Sequence, residues 1–155
     1  MGFFDGLKRI KNYFTGGSAE VDIEFLQECR LHEPFNIKVV LTIGDQDIDS
    51  NEIYLEVKNT EHVEVQARTY NSSGQSTSRT FHNAANLYED RISFAEDIIL
   101  SANEIYEFEA QLHFPPEVVP SFQGINSKLV WTLQAFIDTR GNDPNSELVE
   151  FEPLV

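Results

Sequence analysis

The segment from Ile105 to Asp138 constrains the fold more than any other part of the chain. Its first half alternates apolar and polar residues, with Tyr106, Phe108, Ala110, Leu112 and Phe114 separated by Glu107, Glu109, Gln111 and His113. A period of two predicts a β-strand with one buried face. Pro115 and Pro116 end that strand, because proline donates no ladder hydrogen bond. A second strand is predicted from Lys128 to Asp138, and Trp131 is expected to face the core from it.

The same alternation recurs along most of the chain. Further strands are predicted at Ala19–Phe25, Phe35–Ile43, Glu52–Asn59, Val63–Tyr70 and Glu147–Phe151. The polar run Asn71–Thr80 is predicted to form a mobile loop, with a short strand near Thr77–Asn83 as an option. Ala84–Arg91 is compatible with a helical turn, and Ile92–Leu100 with an extended segment. Seven to nine strands at this spacing predict an antiparallel β-sandwich.

The segment around the proline turns also resembles a known protein family. An aromatic strand ends in Phe-Pro-Pro, Pro-Ser-Phe-Gln-Gly follows, and the next strand contains Leu-Val-Trp-Thr-Leu-Gln-Ala-Phe-Ile-Asp. This order resembles arrestin-like domains, and the opening Met1-Gly2-Phe3-Phe4 resembles their bacterial sporulation-control branch. The resemblance implies an immunoglobulin-like β-sandwich that acts as a scaffold for binding proteins, without an active site. Such proteins have two lobes, and 155 residues leave room for one.

The N-terminal segment differs from the rest of the chain. Residues 1–18 are predicted to form a short amphipathic helix and a glycine-rich joint, and residues 19–155 a single sandwich domain. The residues that would form the apolar face of the helix and its basic flank are Phe3, Phe4, Leu7, Lys8, Ile10, Lys11 and Phe14. Two roles are open. The helix either packs on the sandwich or docks onto a partner groove or a membrane surface.

Charge and cysteine content restrict the function classes. The formal net charge of −15 repels phosphate backbones, so nucleic acid is not an expected partner. The one cysteine, Cys29, cannot form an intramolecular disulfide, which favours a reducing compartment. The sequence has neither an apolar run of membrane-spanning length nor a signal peptide pattern. We therefore expect a cytoplasmic protein.

The candidate chemistry is sparse. Asp45, Asp47, Asp49 and Glu56 have the spacing of a calcium-binding loop. Ser50 occupies the position that needs glycine, and the flanking segments are predicted strands, so an acidic hairpin loop explains the same residues. The four histidines show no metal-ligand spacing, and Glu28 beside Cys29 disfavours a reactive thiolate. No phosphate-binding loop is present in the sequence. Apart from calcium, no cofactor is predicted.

These observations favour a non-catalytic cytoplasmic scaffold or adaptor domain that binds another protein through an exposed sheet edge or through the loops at one end. Two alternatives stay open. One is a calcium- or ligand-binding module, and the other is an acidic inhibitor or immunity protein for a basic partner. The partner and the oligomeric state are not determined by the sequence.

Overall fold

The computed structural model describes residues 18–141 and 143–155, together with the backbone of residues 9 and 10. This part of the chain consists of β-strands, turns and irregular segments. The strands are β1 (Arg9–Ile10), β2 (Ala19–Phe25), β3 (Phe35–Ile43), β4 (Ile48–Tyr70), β5 (Ser76–Leu100), β6 (Ile105–Leu112), β7 (Phe122–Gln123), β8 (Ser127–Thr139) and β9 (Val149–Phe151). Among the described residues, no helix is long and apolar enough to cross a membrane.

The strands form two antiparallel sheets. The first sheet has the order β1-β2-β3-β6, and the second has the order β5-β4-β8-β7, with β9 also paired to β8. Alternate side chains of both sheets point into the space between them, as a period of two requires. The fully buried residues include Ile23, Ile37 and Leu41 of the first sheet and Ile53, Leu55, Val57, Trp131, Leu133 and Ile137 of the second. The all-β prediction and the core position of Trp131 are confirmed.

An aromatic cluster surrounds Trp131 in the core. Trp131 is fully buried, and its ring centroid lies 4.3 Å from that of Phe114, 5.8 Å from Tyr88 and 6.1 Å from Phe151. Its indole Nε1 donates a hydrogen bond of 3.0 Å to the carbonyl oxygen of Val119. This bond attaches the proline-rich segment after β6 to the core. The segment from Ile105 to Asp138, which constrains the predicted fold most, therefore also supplies the centre of the packed core.

Asn59 is a buried polar residue on the inner face of β4. It pairs with Trp131 of β8 and Tyr88 of β5, and it is 1 % exposed. Neither polar atom of its side chain has a hydrogen-bond partner in the described part of the chain. Burying such a group costs about 1–3 kcal/mol. We expect Asn59→Val to raise the free energy of unfolding by about 1–2 kcal/mol in urea denaturation; a decrease would show that an internal water satisfies the amide.

The structure corrects three sequence predictions in the second sheet. The two strands predicted at Glu52–Asn59 and Val63–Tyr70 are one strand of 23 residues, because both β8 and β5 continue to pair across Thr60. The predicted loop at Asn71–Thr80 is a turn only as far as Gln75, and β5 starts at Ser76. Residues 84–91, for which a helical turn was an option, belong to β5 and pair with β4, with one irregularity at Leu87.

The predicted N-terminal helix is not supported. Arg9 and Ile10, in its centre, are extended and pair with Glu24 and Ile23 of β2. Hydrogen bonding to a sheet edge competes with an isolated short helix, which is marginal in water and further weakened by glycine. The rest of the predicted helix lies outside the described residues.

Candidate interaction surface

The β4–β5 hairpin extends well beyond the sandwich. The last pair between β4 and β8 is Val63 with Ser127, whereas β4 continues to Tyr70. We call residues 64–82 the arm. In it, two strands of seven residues, Glu64–Tyr70 and Ser76–His82, pair only with each other. At about 3.3 Å per residue the arm projects roughly 23 Å beyond the sheet.

The tip of the arm is an ordered turn built by one asparagine. The Oδ1 atom of Asn71 accepts hydrogen bonds from the backbone N–H of Ser73 at 3.1 Å and of Gln75 at 2.9 Å. The Gly74 N–H donates to the Asn71 carbonyl at 3.0 Å, and Gly74 has a φ of 81°, which favours glycine. Local turn chemistry therefore fixes the pairing register of the arm.

The arm exposes apolar side chains that contribute nothing to the core. Val65 and Phe81 lie opposite each other on one face and are 46 % and 56 % exposed, and Tyr70 near the tip is 69 % exposed. A two-stranded ribbon is only marginally stable by itself, so stability of the fold does not explain its length. Extended arms with exposed apolar side chains are typical of surfaces that contact another molecule.

Charge is distributed unevenly between the arm and the rest of the chain. Residues 65–88 contain no aspartate or glutamate and two arginines, Arg68 and Arg79. With a chain total of −15, the remaining residues carry −17. The two arginines lie at the same level of the arm on opposite faces, because Ala67 pairs with Arg79 and Arg68 with Ser78. The arm, in which Glu64 is the one acidic residue, therefore carries a net charge of +1 on an acidic protein.

A cleft lies at the root of the arm, with a volume of about 520 Å³. It is bordered by the β7–β8 turn, which is fixed to β4 by a 2.8 Å hydrogen bond from the Glu64 N–H to the Asn126 carbonyl. The register places Glu64 opposite His82 and His62 opposite Lys128 on the outer face of the sheet. The Nδ1 atom of His82 lies 3.6 Å from a carboxylate oxygen of Glu64. Both charge signs and the fully exposed Ile125 thus border the cleft.

Comparisons with known proteins show the fold and no more. No protein-family model matches this chain, and no curated protein matches it at a significant level. Among solved structures, the crystal structure of Spo0M, sporulation control protein, from Bacillus subtilis, matches 90 % of the chain with a TM-score of 0.62 and 15 % sequence identity. This chain has an arrestin-like fold. The resemblance stated from the sequence is confirmed at that level.

This chain spans about half the length of the Spo0M chain that it matches. The alignment covers 50 % of the Spo0M chain. At 15 % sequence identity, this likeness shows the strand architecture and says nothing of which residues bind a partner.

The predicted calcium ligands are spread along the chain. Asp45 and Asp47 lie in the turn before β4, and the Oδ1 atom of Asp47 accepts a 2.8 Å hydrogen bond from the Ala102 N–H. Glu56 lies seven residues beyond Asp49 in β4, or about 23 Å along an extended strand. Its carboxylate pairs with Lys58 Nζ at 2.8 Å. Glu56 therefore lies on the outer face of β4, between the buried residues Leu55 and Val57, and the four carboxylates do not converge.

The other predicted site residues can be placed only in part. Of the proposed docking residues, Ile10 belongs to β1, and Phe3, Phe4, Leu7, Lys8, Lys11 and Phe14 lie outside the described residues. The structure brings two of the four histidines, His62 and His82, to the root cleft, although 20 positions separate them in the sequence. Within the described ranges, no three histidine, cysteine or acidic side chains are placed to hold a metal ion.

Cys29 is buried, and burial raises the pKa of its thiol to about 12. At pH 8 about one folded molecule in ten thousand then carries a thiolate. We expect Ellman's reagent to react very slowly with the folded protein at pH 8 and fully in guanidinium chloride; equal rates would contradict the burial. Since the unfolded thiol ionises near its usual pKa of 9.0, this group lowers stability as the pH rises between that value and about 12.

The arm was not predicted, although the sequence contains a signal for it. The acid-free stretch from Val65 to Tyr88 is visible in the sequence, and in a chain with 26 acidic residues it is unusual. Its serine and threonine residues indicated a loop by composition. Only the pairing of these residues with Gln66–Tyr70 shows that they form a strand.

Proposed function

We propose that this chain is a non-catalytic binding domain that recognises another protein through the β4–β5 arm. The observation that carries the proposal is the arm itself, a paired extension with exposed apolar and basic side chains and no core of its own. Arms of this kind present backbone and side chains to a partner while the sandwich holds them in place.

Two further observations support a scaffold or adaptor role. The buried thiol of Cys29 has a raised pKa, and the histidines at the root cleft lie opposite Glu64 and Lys128 in the strand register. The arrestin-like fold adds support by analogy, because function belongs to a site and not to a fold. A role like the one named for Spo0M, sporulation control, is part of this proposal.

The test compares the full chain with a short-arm variant. In this variant Asn-Gly replaces Gln66–Thr80, so that Val65 and Phe81 flank a two-residue hairpin turn. Both proteins are immobilised and used to capture proteins from a lysate of the source organism. Each captured protein is then purified and titrated against both chains. We expect specific binding to the full chain and at least a tenfold loss with the short-arm variant.

Two results would overturn the proposal. Equal affinity of both chains for every purified partner would place recognition on the sandwich. Salt-sensitive capture of one basic protein by the short-arm variant would support the acidic inhibitor alternative, because the −17 charge lies outside residues 65–88.

A further inference from the structure

The outer edge of β5 along the arm presents unpaired backbone groups. Two hydrogen bonds fix the alternation of the ladder. The Glu64 N–H points toward the β7–β8 side, to Asn126, and the Asn71 N–H points across the hairpin, to Gln75. Odd-numbered residues of β4 in the arm therefore bond to β5. By the register, the N–H groups of Ser78, Thr80 and His82 point away from β4, where the described part of the chain supplies no neighbouring strand.

From Ser76 to Asn86 the edge lacks the features that protect exposed strands. These residues include one charged residue, Arg79, and no proline, and the nearest irregularity of β5 is at Leu87, opposite the Asn59–Thr60 step. The continuation of β5 along the sandwich, residues 88–100, contains five charged residues and an irregularity opposite the Ile53–Tyr54 step. Charges and bulges on an edge prevent pairing with other chains. The strand is thus protected beside the sandwich and open along the arm.

The charge of the arm selects the kind of strand that would pair there. The screening length at physiological ionic strength is about 8 Å. Arg68 and Arg79 lie five residues, or about 16 Å, beyond Val63, where the pairing between β4 and β8 ends. At that distance, most of the electrostatic field of the acidic sandwich is screened. An acidic segment is attracted to these arginines. A second copy of the chain, at −15, is repelled as a whole.

We propose that the outer edge of residues 76–86 is a strand-addition site for an extended acidic segment of another protein. Main-chain hydrogen bonds to Ser78, Thr80 and His82 would supply affinity, and Arg79 would select carboxylates on the added strand. This inference rests on the proposed function and specifies its partner.

The probe is a fluorescent ten-residue peptide that alternates valine or threonine with glutamate, compared with the same peptide carrying lysine in place of glutamate. Anisotropy titrations use the full chain at low and at physiological salt. We expect the glutamate peptide to bind at least tenfold more tightly than the lysine peptide. Binding is expected to protect the amides of Ser78, Thr80 and His82 from hydrogen exchange.

Two substitutions at one position separate the backbone from the side chain. Thr80→Pro removes an outward N–H without removing a hydrogen bond to β4. We expect this substitution to lower the affinity for the glutamate peptide at least tenfold. Thr80→Ala keeps the N–H, so we expect a change of less than twofold. Circular dichroism confirms that both variants are folded. Equal binding of the two peptides, no binding of either, or equal affinities of Thr80→Pro and Thr80→Ala would overturn the inference.

The other occupants of the edge are tested in parallel. Concentration-dependent dimerisation in sedimentation that Thr80→Pro abolishes would assign the edge to a second copy, and binding to phosphatidylglycerol vesicles in place of the peptide would assign it to an anionic surface. Either result overturns the inference. If the short-arm variant loses a protein partner that Thr80→Pro still binds, the proposed function stands and strand addition fails.

Discussion

Replacing Trp131 with alanine is expected to lower the free energy of unfolding by about 3–5 kcal/mol, the largest effect on stability that we predict. The residue is fully buried, and its ring lies beside those of Tyr88 in β5, Phe151 in β9 and Phe114, which follows β6. Truncation removes that packing and leaves a cavity where the two sheets meet. A domain of this size is typically stable by about 5–15 kcal/mol, so the variant would be close to unfolding at 37 °C.

A conservative variant separates packing from hydrogen bonding at this position. Trp131→Phe keeps an aromatic ring beside Phe114 but loses the donor to the Val119 carbonyl. We expect it to cost about 1–3 kcal/mol, less than the alanine variant. Urea unfolding is followed by far-UV circular dichroism, because Trp131 is the one tryptophan of the chain. A loss below about 1 kcal/mol for Trp131→Ala would contradict its central place in the core.

The short-arm variant is expected to combine near-normal stability with loss of partner binding. Residues 66–80 contribute no residue to the buried core, and their deletion leaves the β4–β8 pairing intact. We expect a change in unfolding free energy within about 1 kcal/mol, since most stability resides in the packed sheets. The same variant should bind the protein partner with at least tenfold lower affinity.

A matched control distinguishes a binding defect from a folding defect. Val57→Ala truncates a fully buried side chain of β4 but leaves the arm unchanged. We expect this variant to lose about 1–3 kcal/mol of stability and to keep its partner affinity. If shortening the arm unfolded the protein, or if Val57→Ala weakened binding as strongly as the short-arm variant, the division between a stabilising sandwich and a recognising arm would be wrong.

Alternation in the sequence was enough to predict the strands that form the core. The bounds of β2 and β3 agree with the prediction at both ends, because in each strand a buried face alternates with a mostly half-buried one. Trp131 was placed correctly for the same reason. In these elements, burial on one face makes the period of two visible in the sequence.

The arm was not predicted because burial leaves no pattern in it. Ser76, Thr77 and Ser78 are exposed on both faces, so selection for a core does not impose alternation on them. Their conformation depends on pairing with Arg68–Tyr70 and on the turn built by Asn71 and Gly74, and composition alone favours a loop for such residues. Likewise, the N-terminal helix was predicted from spacing, whereas Arg9 and Ile10 pair with the edge of β2.

The grouping at the root of the arm also depends on tertiary structure. His62 and His82 approach the same cleft because the β4–β5 hairpin keeps one register from Thr60 to its tip and so places Glu64 opposite His82. The calcium prediction used sequence spacing suited to a loop, and a strand at the same spacing extends Asp49 and Glu56 away from each other.

The most direct test of the central claim is the affinity of one purified protein partner for the full chain and for the short-arm variant, measured by calorimetric titration under the same salt conditions. Recognition through the arm predicts a dissociation constant at least tenfold higher for the short-arm variant than for the full chain, with both proteins folded. Equal dissociation constants would contradict the claim and assign recognition to the sandwich.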